Sequence, residues 1–325
     1  MKNNGNKLWE NSYEKFQNVC SPLRNRSLFE WLSNAYQFLY LSSVDKQYIP
    51  TLVDLKTSLC IIDVAIDDAC DNAEMIKKMG GEEFTYGILG LAYNIDKLMN
   101  DRHQRDFKIS NEYGAEYYSV LHDIMENTIS TLKTLPRFNE FKHEFIMAMR
   151  RVCHSMEFSY LINKGESVYP SSHIVENRSA STMVTVHSLL DLMASPTVNK
   201  KDIGKMIPLF HMADTVAMLG NTLNTWPREI LEKDYSSPVL ALALEKGLVG
   251  FDEFYNSKPE EIEKKLSPLS DIIEELIDAK LNEMRSHISN NNIQSFDAIK
   301  YVENYLKIKE AFKNRERYWE KPCIA

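Results

Sequence analysis

The chain has 325 residues, of which 44% are hydrophobic and 26% are charged, and its formal net charge is −8. This length suffices for one large domain or two ordinary ones, and the composition is ordinary for a globular protein. The acidic balance argues against a nucleic-acid-binding surface, which needs a basic stripe, and no apolar run approaches the ~20 residues of a membrane span.

The N-terminus and the cysteines favour a cytoplasmic protein. The opening sequence MKNNGNKLWENS has no apolar segment of signal-peptide length. The five cysteines are odd in number and widely spaced, and they form no CxxC pair, which is typical of a reduced compartment. We expect a cytoplasmic monomer or homodimer.

The hydrophobic pattern predicts helices along nearly the whole chain. Residues 1–24 are predicted to be a polar, partly ordered lead-in, and residues 25–325 a single all-α domain of roughly ten to twelve helices. One helix starts near Ser27, and Pro50 marks the start of the next. A kink or an early end is expected at Pro227. Further helices are predicted near 83–100, 112–134, 137–162, 173–194, 202–233, 237–247, 258–288 and 294–313.

Four aspartates interrupt the apolar helix that follows Pro50, in the stretch DVAIDDACDN at residues 63–72. Asp63, Asp67 and Asp71 are spaced by four, so they share one helical face, and Asp68 flanks it. Like charges repel each other unless a cation is present, and hard divalent cations prefer oxygen ligands. The alternative is a charged helix face that pairs with Lys or Arg or is solvated.

A second polar stripe lies in the stretch GNTLNTWPRE. Asn221, Thr225 and Glu229 are again spaced by four, which makes a stripe about 12 Å long on a continuous helix. An amide oxygen, a hydroxyl and a carboxylate predict a site for a hard cation, and Arg228 adds a positive charge suited to phosphate. The alternative is a solvated helix face, although the flanking sequence is largely apolar.

Together, these stretches resemble the two metal-binding motifs of class I terpene synthases of the microbial type, possibly the diterpene synthases. The first family motif is Asp-Asp-x-x-Asp and the second is Asn-Asp-x-x-Ser/Thr-x-x-x-Glu. The matching residues are Asp67, Asp68 and Asp71 in the first motif and Asn221, Thr225 and Glu229 in the second. Thr222 stands where the second motif often has Asp.

Other landmarks of the family occur in the same order. Arg178 stands at the interval expected for an arginine that senses the diphosphate, and Arg317 and Tyr318 match an Arg-Tyr pair near the C-terminus. Ser181 and Thr182 stand where many bacterial members carry Asp and Gly at a helix break. Their hydroxyls can donate hydrogen bonds back to helix carbonyls, which predicts a bend of the chain there. The resemblance covers residues 60–320, most of the chain.

The resemblance implies a single α-helical bundle around a central cavity that binds three Mg²⁺ ions and ionises a prenyl diphosphate. Geranylgeranyl or copalyl diphosphate is the favoured substrate; a separate class II diterpene cyclase would supply the latter. The implied diphosphate-binding residues are Arg178, Arg228, Arg317 and Tyr318, and the implied cavity residues are Ser181, Thr182, Trp226 and Trp319.

Several other functions remain open. The same chemistry could act on farnesyl diphosphate. A head-to-tail prenyltransferase normally carries a second Asp-rich motif, which this chain lacks, and a squalene- or phytoene-synthase-like enzyme needs a second DxxxD motif. A helical binding protein without catalytic activity is the alternative from a different class.

Overall fold

The structure is a computed structural model that describes residues 7–21, 24–100 and 107–313. Within these ranges the chain is all-helical without strands, which confirms the all-α part of the predicted fold class, while the bundle around a central cavity stays a prediction. No helix in these ranges is both long and apolar enough to cross a bilayer. The α-helices are α1 (Leu8–Phe16), α2 (Arg26–Tyr36), α3 (Ile49–Asp71), α4 (Ala73–Met79), α5 (Glu82–Tyr93), α6 (Ile95–Met99), α7 (Glu112–Leu132), α8 (Phe138–Gly165), α9 (Ser171–Arg178), α10 (Val184–Met193), α11 (Ile203–Glu232), α12 (Pro238–Glu245), α13 (Phe251–Asn256), α14 (Pro259–Leu266), α15 (Leu269–Asn291) and α16 (Ala298–Lys313). Short 3₁₀ helices lie at Lys46–Tyr48, Ser179–Thr182 and Lys200–Asp202.

Contacts between α-carbons divide the chain into two compact units. The described part of the first lies within Met1–Cys153 and Val186–Lys200, and that of the second within His154–Thr185 and Lys201–Arg317. The Asp-rich motif belongs to the first unit, and the motif that ends at Glu229 belongs to the second. A single domain over residues 25–325 and one cavity shared by both motifs remain predictions.

Helix α3 is central to the first unit and carries the aspartates near its C-terminal end. It packs against α1, α2, α5 and α7. Pro50 lies in its first turn, where the missing amide hydrogen has no intrahelical partner to lose. Asn72 follows its last residue and accepts a hydrogen bond from the backbone nitrogen of Met75 at 3.0 Å, so it also caps α4. The aspartates therefore stand on a helix fixed at both ends.

The N-terminal segment differs from the polar lead-in predicted for residues 1–24. Trp9, Tyr13 and Phe16 of α1 are buried, and this helix packs against α3 and α7. The hydroxyls of Ser12 and Ser58 lie 3.0 Å apart in this contact. The three aromatic residues are spaced by four and three, which places them on one face of a helix whose other positions are mostly polar. The polar composition of the segment concealed this amphipathic helix.

Helix α11 is central to the second unit and carries the second motif. It packs against α15, α16 and the Ser179–Thr182 turn. The helix predicted over 202–233 is present as Ile203–Glu232, so of the kink or early end expected at Pro227 the early end does not occur. Trp226, Pro227 and Ile230 are all buried, so the packing of this turn offsets the backbone hydrogen bond that proline removes.

Three predicted helices are each divided in the structure. The segment 173–194 forms α9, a 3₁₀ turn and α10. The segment 83–100 forms α5 and α6, and the Asn94 side chain at their junction donates a hydrogen bond to the carbonyl of Gly90 at 2.7 Å. The segment 258–288 forms α14 and α15, with Pro268 directly before the second of them. Helices α4 and α13 were not predicted, because each is too short for a clear periodic pattern.

Candidate functional site

The last turns of α3 carry four carboxylates in a packed part of the first unit. Asp68 is 2% exposed, and Asp63, Asp67 and Asp71 are half-buried. Carboxylates at this depth lose much of their hydration, so their charge needs compensation. The fully solvated helix face that we considered for this stretch is therefore wrong.

Arg24 supplies positive charge to two of these aspartates. Its Nη2 lies 2.6 Å from Asp67 Oδ2 and 2.8 Å from Asp68 Oδ1, and its Nε donates a hydrogen bond to Asp68 Oδ1 at 2.9 Å. Arg24 is only 8% exposed. Sequence reasoning missed Arg24 because it lies in the segment interpreted as a lead-in; the available signal was a basic residue just before α2. The pairing of these acids with an arginine, one of the alternatives for this stretch, is present.

Asp63 adds a further acidic group one turn before Asp67. Its Oδ1 atom is buried and accepts no hydrogen bond from the described part of the chain. Burial raises the pKa of Asp63 well above its ordinary value, and the charge of Asp67 adds to this effect while Arg24 opposes it. The end of α3 thus concentrates four acidic groups within nine positions of one helix, and Arg24 pairs with at least two of them.

A buried ion pair lies on α3 nearer its N-terminus. Lys56 Nζ is 2.7 Å from Asp191 Oδ1 and donates to the carbonyl of Leu39 at 2.7 Å. Burial raises the pKa of Asp191 to about 6, although the charge of Lys56 opposes the shift. Burial likewise lowers the pKa of Lys56, with Asp191 opposing. This pair joins α3 to α10 within the first unit.

Helix α11 brings together two residues of the second motif. Thr225 Oγ1 donates a hydrogen bond to Glu229 Oε1 at 2.7 Å, and Ser237 Oγ donates to Glu229 Oε2 at 2.6 Å. Thr225 and Glu229 are buried, and Asn221, one turn earlier, is half-buried. Two hydroxyl groups therefore fix both oxygens of the Glu229 carboxylate.

Arg178 lies in the same polar cluster of the second unit. Its Nη1 donates hydrogen bonds to Asp234 Oδ2 at 3.2 Å and to the carbonyl of Ser236 at 3.0 Å. Asp234 Oδ1 accepts from Asn163 Nδ2 at 3.0 Å and from the backbone nitrogen of Ser236 at 2.8 Å. The turn that follows α11 therefore links Arg178 to Glu229.

The charges in this cluster are coupled. Burial raises the pKa of Glu229, and the negative charge of Asp234 adds to the shift while Arg178 opposes it. Burial also acts to raise the pKa of Asp234, but the charge of Arg178 and the hydrogen bonds from Ser236 and Asn163 outweigh it, so this pKa is lowered. A cation beside Glu229 would favour its ionised form. Sequence reasoning missed Asp234, although the acid stands only five positions after Glu229.

The chain bends directly after Arg178, where the sequence predicted a bend. Helix α9 ends there, a 3₁₀ turn covers Ser179–Thr182, and Met183 has a φ of 56° before α10 begins. Thr182 Oγ1 donates to the carbonyl of Ser179 at 3.1 Å. Side-chain bonds of this kind to a preceding carbonyl bend helices. Ser181 and Thr182 are both half-buried.

Asp214 fastens the segment after this bend to α11. Its carboxylate accepts hydrogen bonds from the backbone nitrogen of Thr185 at 2.9 Å and from Thr185 Oγ1 at 2.6 Å. Its backbone carbonyl accepts one from Thr182 Oγ1 at 3.2 Å. Asp214 is 1% exposed. Sequence reasoning counted it in the apolar flank of the second motif and so missed a residue that fixes the turn after Arg178.

The other predicted site residues have different outcomes. Trp226 is buried in α11. Arg228 forms an ion pair with Glu232, with 3.4 Å between Nε and Oε2, on the same helix. The prediction that Arg228 binds diphosphate stays a prediction. Arg317, Tyr318 and Trp319 lie outside the described residues.

Helix α7 carries a further group of possible metal ligands that the sequence analysis did not single out. His122 Nδ1 lies 3.6 Å from Glu126 Oε2 and 3.9 Å from Asp123 Oδ1, and one ligand atom of each residue lies within 4.8 Å of the others. Glu126 is exposed and Asp123 is half-buried, and Asp123 is also 4.0 Å from Lys15. The three residues lie within one turn of the same helix, so the geometry of α7 by itself brings them close together.

Both predicted motifs offer donor sets that suit a hard divalent cation. The α3 group consists of carboxylates whose charge already attracts the Arg24 guanidinium, and one buried Asp63 oxygen there lacks a hydrogen bond within the described residues. The α11 group presents carboxylate and hydroxyl oxygens that are held in place. Mg²⁺ prefers oxygen ligands of these kinds. The residues present therefore fit the metal that the resemblance implies.

Comparison with known proteins found no family model that matches this chain and no curated protein that matches it. The assignment to a family consequently depends on the motifs and on the geometry of the residues that carry them.

Proposed function

We propose that this chain is a Mg²⁺-dependent class I terpene synthase. It ionises a prenyl diphosphate, with geranylgeranyl or copalyl diphosphate favoured, cyclises or rearranges the carbocation and releases diphosphate. If the substrate is copalyl diphosphate, a separate class II diterpene cyclase must supply it. Farnesyl diphosphate is the alternative substrate for the same chemistry.

The observation that carries this proposal is the cluster of Arg178, Asp234 and Glu229. The motif pattern selected Glu229 as a metal ligand, and the interval that precedes this motif selected Arg178 as a diphosphate sensor. Their membership in one buried cluster supports both assignments, because metal ions and a guanidinium must act on the same diphosphate. The planar guanidinium matches phosphate oxygens in a bidentate geometry.

Each residue of this cluster has a distinct role in the proposed reaction. Arg178 donates hydrogen bonds to the diphosphate and stabilises the negative charge that develops as the allylic carbon–oxygen bond breaks. Asp234 positions Arg178, and Thr225 and Ser237 orient the Glu229 carboxylate. Arg228, Arg317 and Tyr318 are proposed as additional hydrogen-bond donors to the leaving group.

When bound, Mg²⁺ neutralises the charge of the leaving diphosphate. The proposed ligands of the three ions are Asp67, Asp68, Asp71, Asn221, Thr225 and Glu229. The carbocation must be kept from water until it loses a proton. Ser181, Thr182, Trp226 and Trp319 are proposed to line the cavity that does so.

The test is diphosphate release from geranyl, farnesyl, geranylgeranyl and copalyl diphosphates, each with and without Mg²⁺, followed by gas chromatography of the products. We expect Mg²⁺-dependent release from at least one substrate, and turnover lower by orders of magnitude in Asp67→Ala and in Glu229→Ala. Asp252→Ala, which changes an exposed acid of α13, serves as the control and should retain the wild-type rate. Near wild-type turnover in Asp67→Ala at saturating Mg²⁺ would exclude Asp67 as a ligand.

One specific observation favours a non-catalytic helical protein as the second candidate. Arg24 already compensates the charge of Asp67 and Asp68 without any metal. On that interpretation the acids belong to a structural ion-pair network. No substrate would then release diphosphate under any condition of the experiment, and Asp67→Ala would alter stability alone.

A further inference from the structure

We propose that Arg24 is a positioning residue that holds the Asp67 and Asp68 carboxylates in the metal-free protein and is displaced when a divalent cation binds them. This inference rests on the proposed function, since it assumes that these carboxylates are metal ligands. Arg24 lies outside both motifs, so the inference adds a new residue to the site. On this inference, its guanidinium competes with the metal ion for the same carboxylates.

The contacts make the two cations compete. Arg24 nitrogens lie within 2.9 Å of Asp67 Oδ2 and of Asp68 Oδ1. Mg²⁺ binds oxygen ligands at about 2.0–2.1 Å. A guanidinium and a divalent ion on the same oxygens would repel each other strongly at such distances. Metal binding through these oxygens therefore requires the Arg24 side chain to leave.

The charges favour that exchange once a metal is available. Asp63, Asp67, Asp68 and Asp71 lie within nine positions of α3, and Arg24 brings a single positive charge to two of them. A divalent ion brings twice the charge in a smaller volume. It also leaves the guanidinium available for another anion, for which diphosphate is the obvious candidate in the proposed reaction.

The position of Arg24 in the chain allows its side chain to move without its backbone. Arg24 lies between α1 and α2, outside any helix. Its backbone nitrogen donates to the carbonyl of Ser21 at 2.9 Å, and its own carbonyl accepts from the Tyr13 hydroxyl at 3.4 Å. Tyr13 is buried on α1. The backbone is therefore tied to α1, and the long side chain is the part that can exchange partners.

A purely structural role for Arg24 predicts something different. A structural arginine keeps the carboxylates in place for the metal, so its removal would weaken metal binding or leave it unchanged. A competing arginine opposes the metal, so its removal would strengthen metal binding. The direction of the change in metal affinity distinguishes the two roles.

The experiment measures Mn²⁺ binding through the electron paramagnetic resonance signal of the free ion, with competition by Mg²⁺. The variants are Arg24→Gln, Arg24→Lys and the control Arg26→Gln. Arg26 is two positions away but pairs with Glu30 at 2.9 Å and Glu10 at 3.7 Å, away from the aspartates. The Mn²⁺-binding measurement needs no substrate, so its result does not depend on turnover.

We expect Arg24→Gln to bind Mn²⁺ about tenfold more tightly than wild type, which corresponds to about 1.4 kcal/mol. Arg24→Lys keeps a positive charge near the buried Asp68, so this variant should fold even if Arg24→Gln does not. Because its ammonium lacks the planar fork that bridges two carboxylates, its affinity should lie between those of wild type and Arg24→Gln. Arg26→Gln should match wild type.

If both Arg24 variants bind Mn²⁺ with the same affinity as wild type or with a lower one, the inference is overturned. It is also overturned if Arg26→Gln gains as much affinity as Arg24→Gln. Binding by Arg24→Gln but not by wild type would support it. The proposed function fails separately, when the wild-type protein shows no Mg²⁺-dependent diphosphate release whatever the metal affinities of the variants.

Discussion

Arg178 and Asp234 form a largely buried ion pair 56 positions apart in sequence, with 3.2 Å between Nη1 and Oδ2. The pair belongs to the second unit, and the charges of both residues act on Glu229. The residue predicted to sense the substrate is thus held by an acid that neither motif contains. This relationship makes the site testable through stability as well as through activity.

Replacing Asp234 by Asn should destabilise the protein. The side chain of Arg178 is 13% exposed and that of Asp234 is 9% exposed, so the change removes the carboxylate that pairs with a largely buried guanidinium. Breaking such a pair costs roughly 3–5 kcal/mol. Urea unfolding of Asp234→Asn should show this loss. Asp252→Asn should change the free energy of unfolding by no more than about 0.5 kcal/mol, and an equally small change in Asp234→Asn would mean that the pair is not important for stability.

Arg178→Lys should lose most turnover while the protein still binds inorganic diphosphate with Mg²⁺. Lysine keeps the charge but loses the planar fork that contacts two phosphate oxygens. Removing one preorganised donor to a developing anion costs on the order of 10²-fold in rate. Steady-state kinetics and calorimetric titration of diphosphate measure the two effects separately. Arg285→Lys, at an exposed position of α15, is the matched control, and an unchanged rate and product set in Arg178→Lys would place the sensor elsewhere.

Changes at Ser181 and Thr182 should alter the product mixture more than the rate of ionisation. Thr182→Val keeps the shape of the side chain but removes the hydroxyl that donates to the carbonyls of Ser179 and Asp214. The turn after Arg178 should then shift, and with it the wall of the proposed cavity. Thr182→Ser retains the hydroxyl and should have the smaller effect. Gas chromatography provides the comparison, and identical product profiles for Thr182→Val and Ser181→Phe would remove both residues from the cavity.

Stability should depend on pH through Asp191. Its pKa is raised to about 6 in the folded protein, against about 3.9 for an unperturbed aspartate. Between these values the folded state holds a proton that the unfolded state has released, so the contribution of Asp191 to stability falls as pH rises from about 4 to 6, by at most about 1.4 kcal/mol per pH unit. Above pH 6 this contribution becomes constant.

The measurement is the free energy of unfolding of wild type minus that of Asp191→Asn at a series of pH values from 4 to 7. His187 lies one turn away on α10, but burial and the charge of Lys56 lower its pKa well below the ordinary value, so it stays neutral over most of this range. Asp271→Asn, at an exposed position of α15, provides the reference. A difference that stays flat, or that rises with pH, would be inconsistent with a raised pKa at Asp191.

The sequence by itself determined those features that depend on neighbours within one or two helical turns. The hydrophobic period predicted the all-α class and most helices, because the period is a local property of the chain. The spacing of four between Thr225 and Glu229 predicted a shared face, and the two side chains are hydrogen-bonded. The small hydroxyl residues after Arg178 predicted the bend there. The short helices and the helix inside the supposed lead-in escaped prediction because their periodic signal was weak or masked by polar residues.

Only the tertiary structure decided which partner each buried charge has. Arg24 reaches the aspartates of α3 from 44 positions away, and Asp234 reaches Arg178 across a comparable interval. No periodic pattern links such residues, because their separation in sequence does not fix their separation in space. A buried charge must find compensation somewhere, so the sequence could indicate that partners exist. Packing of α1 on α3, and of the turn after α11 against Arg178, selected these particular partners.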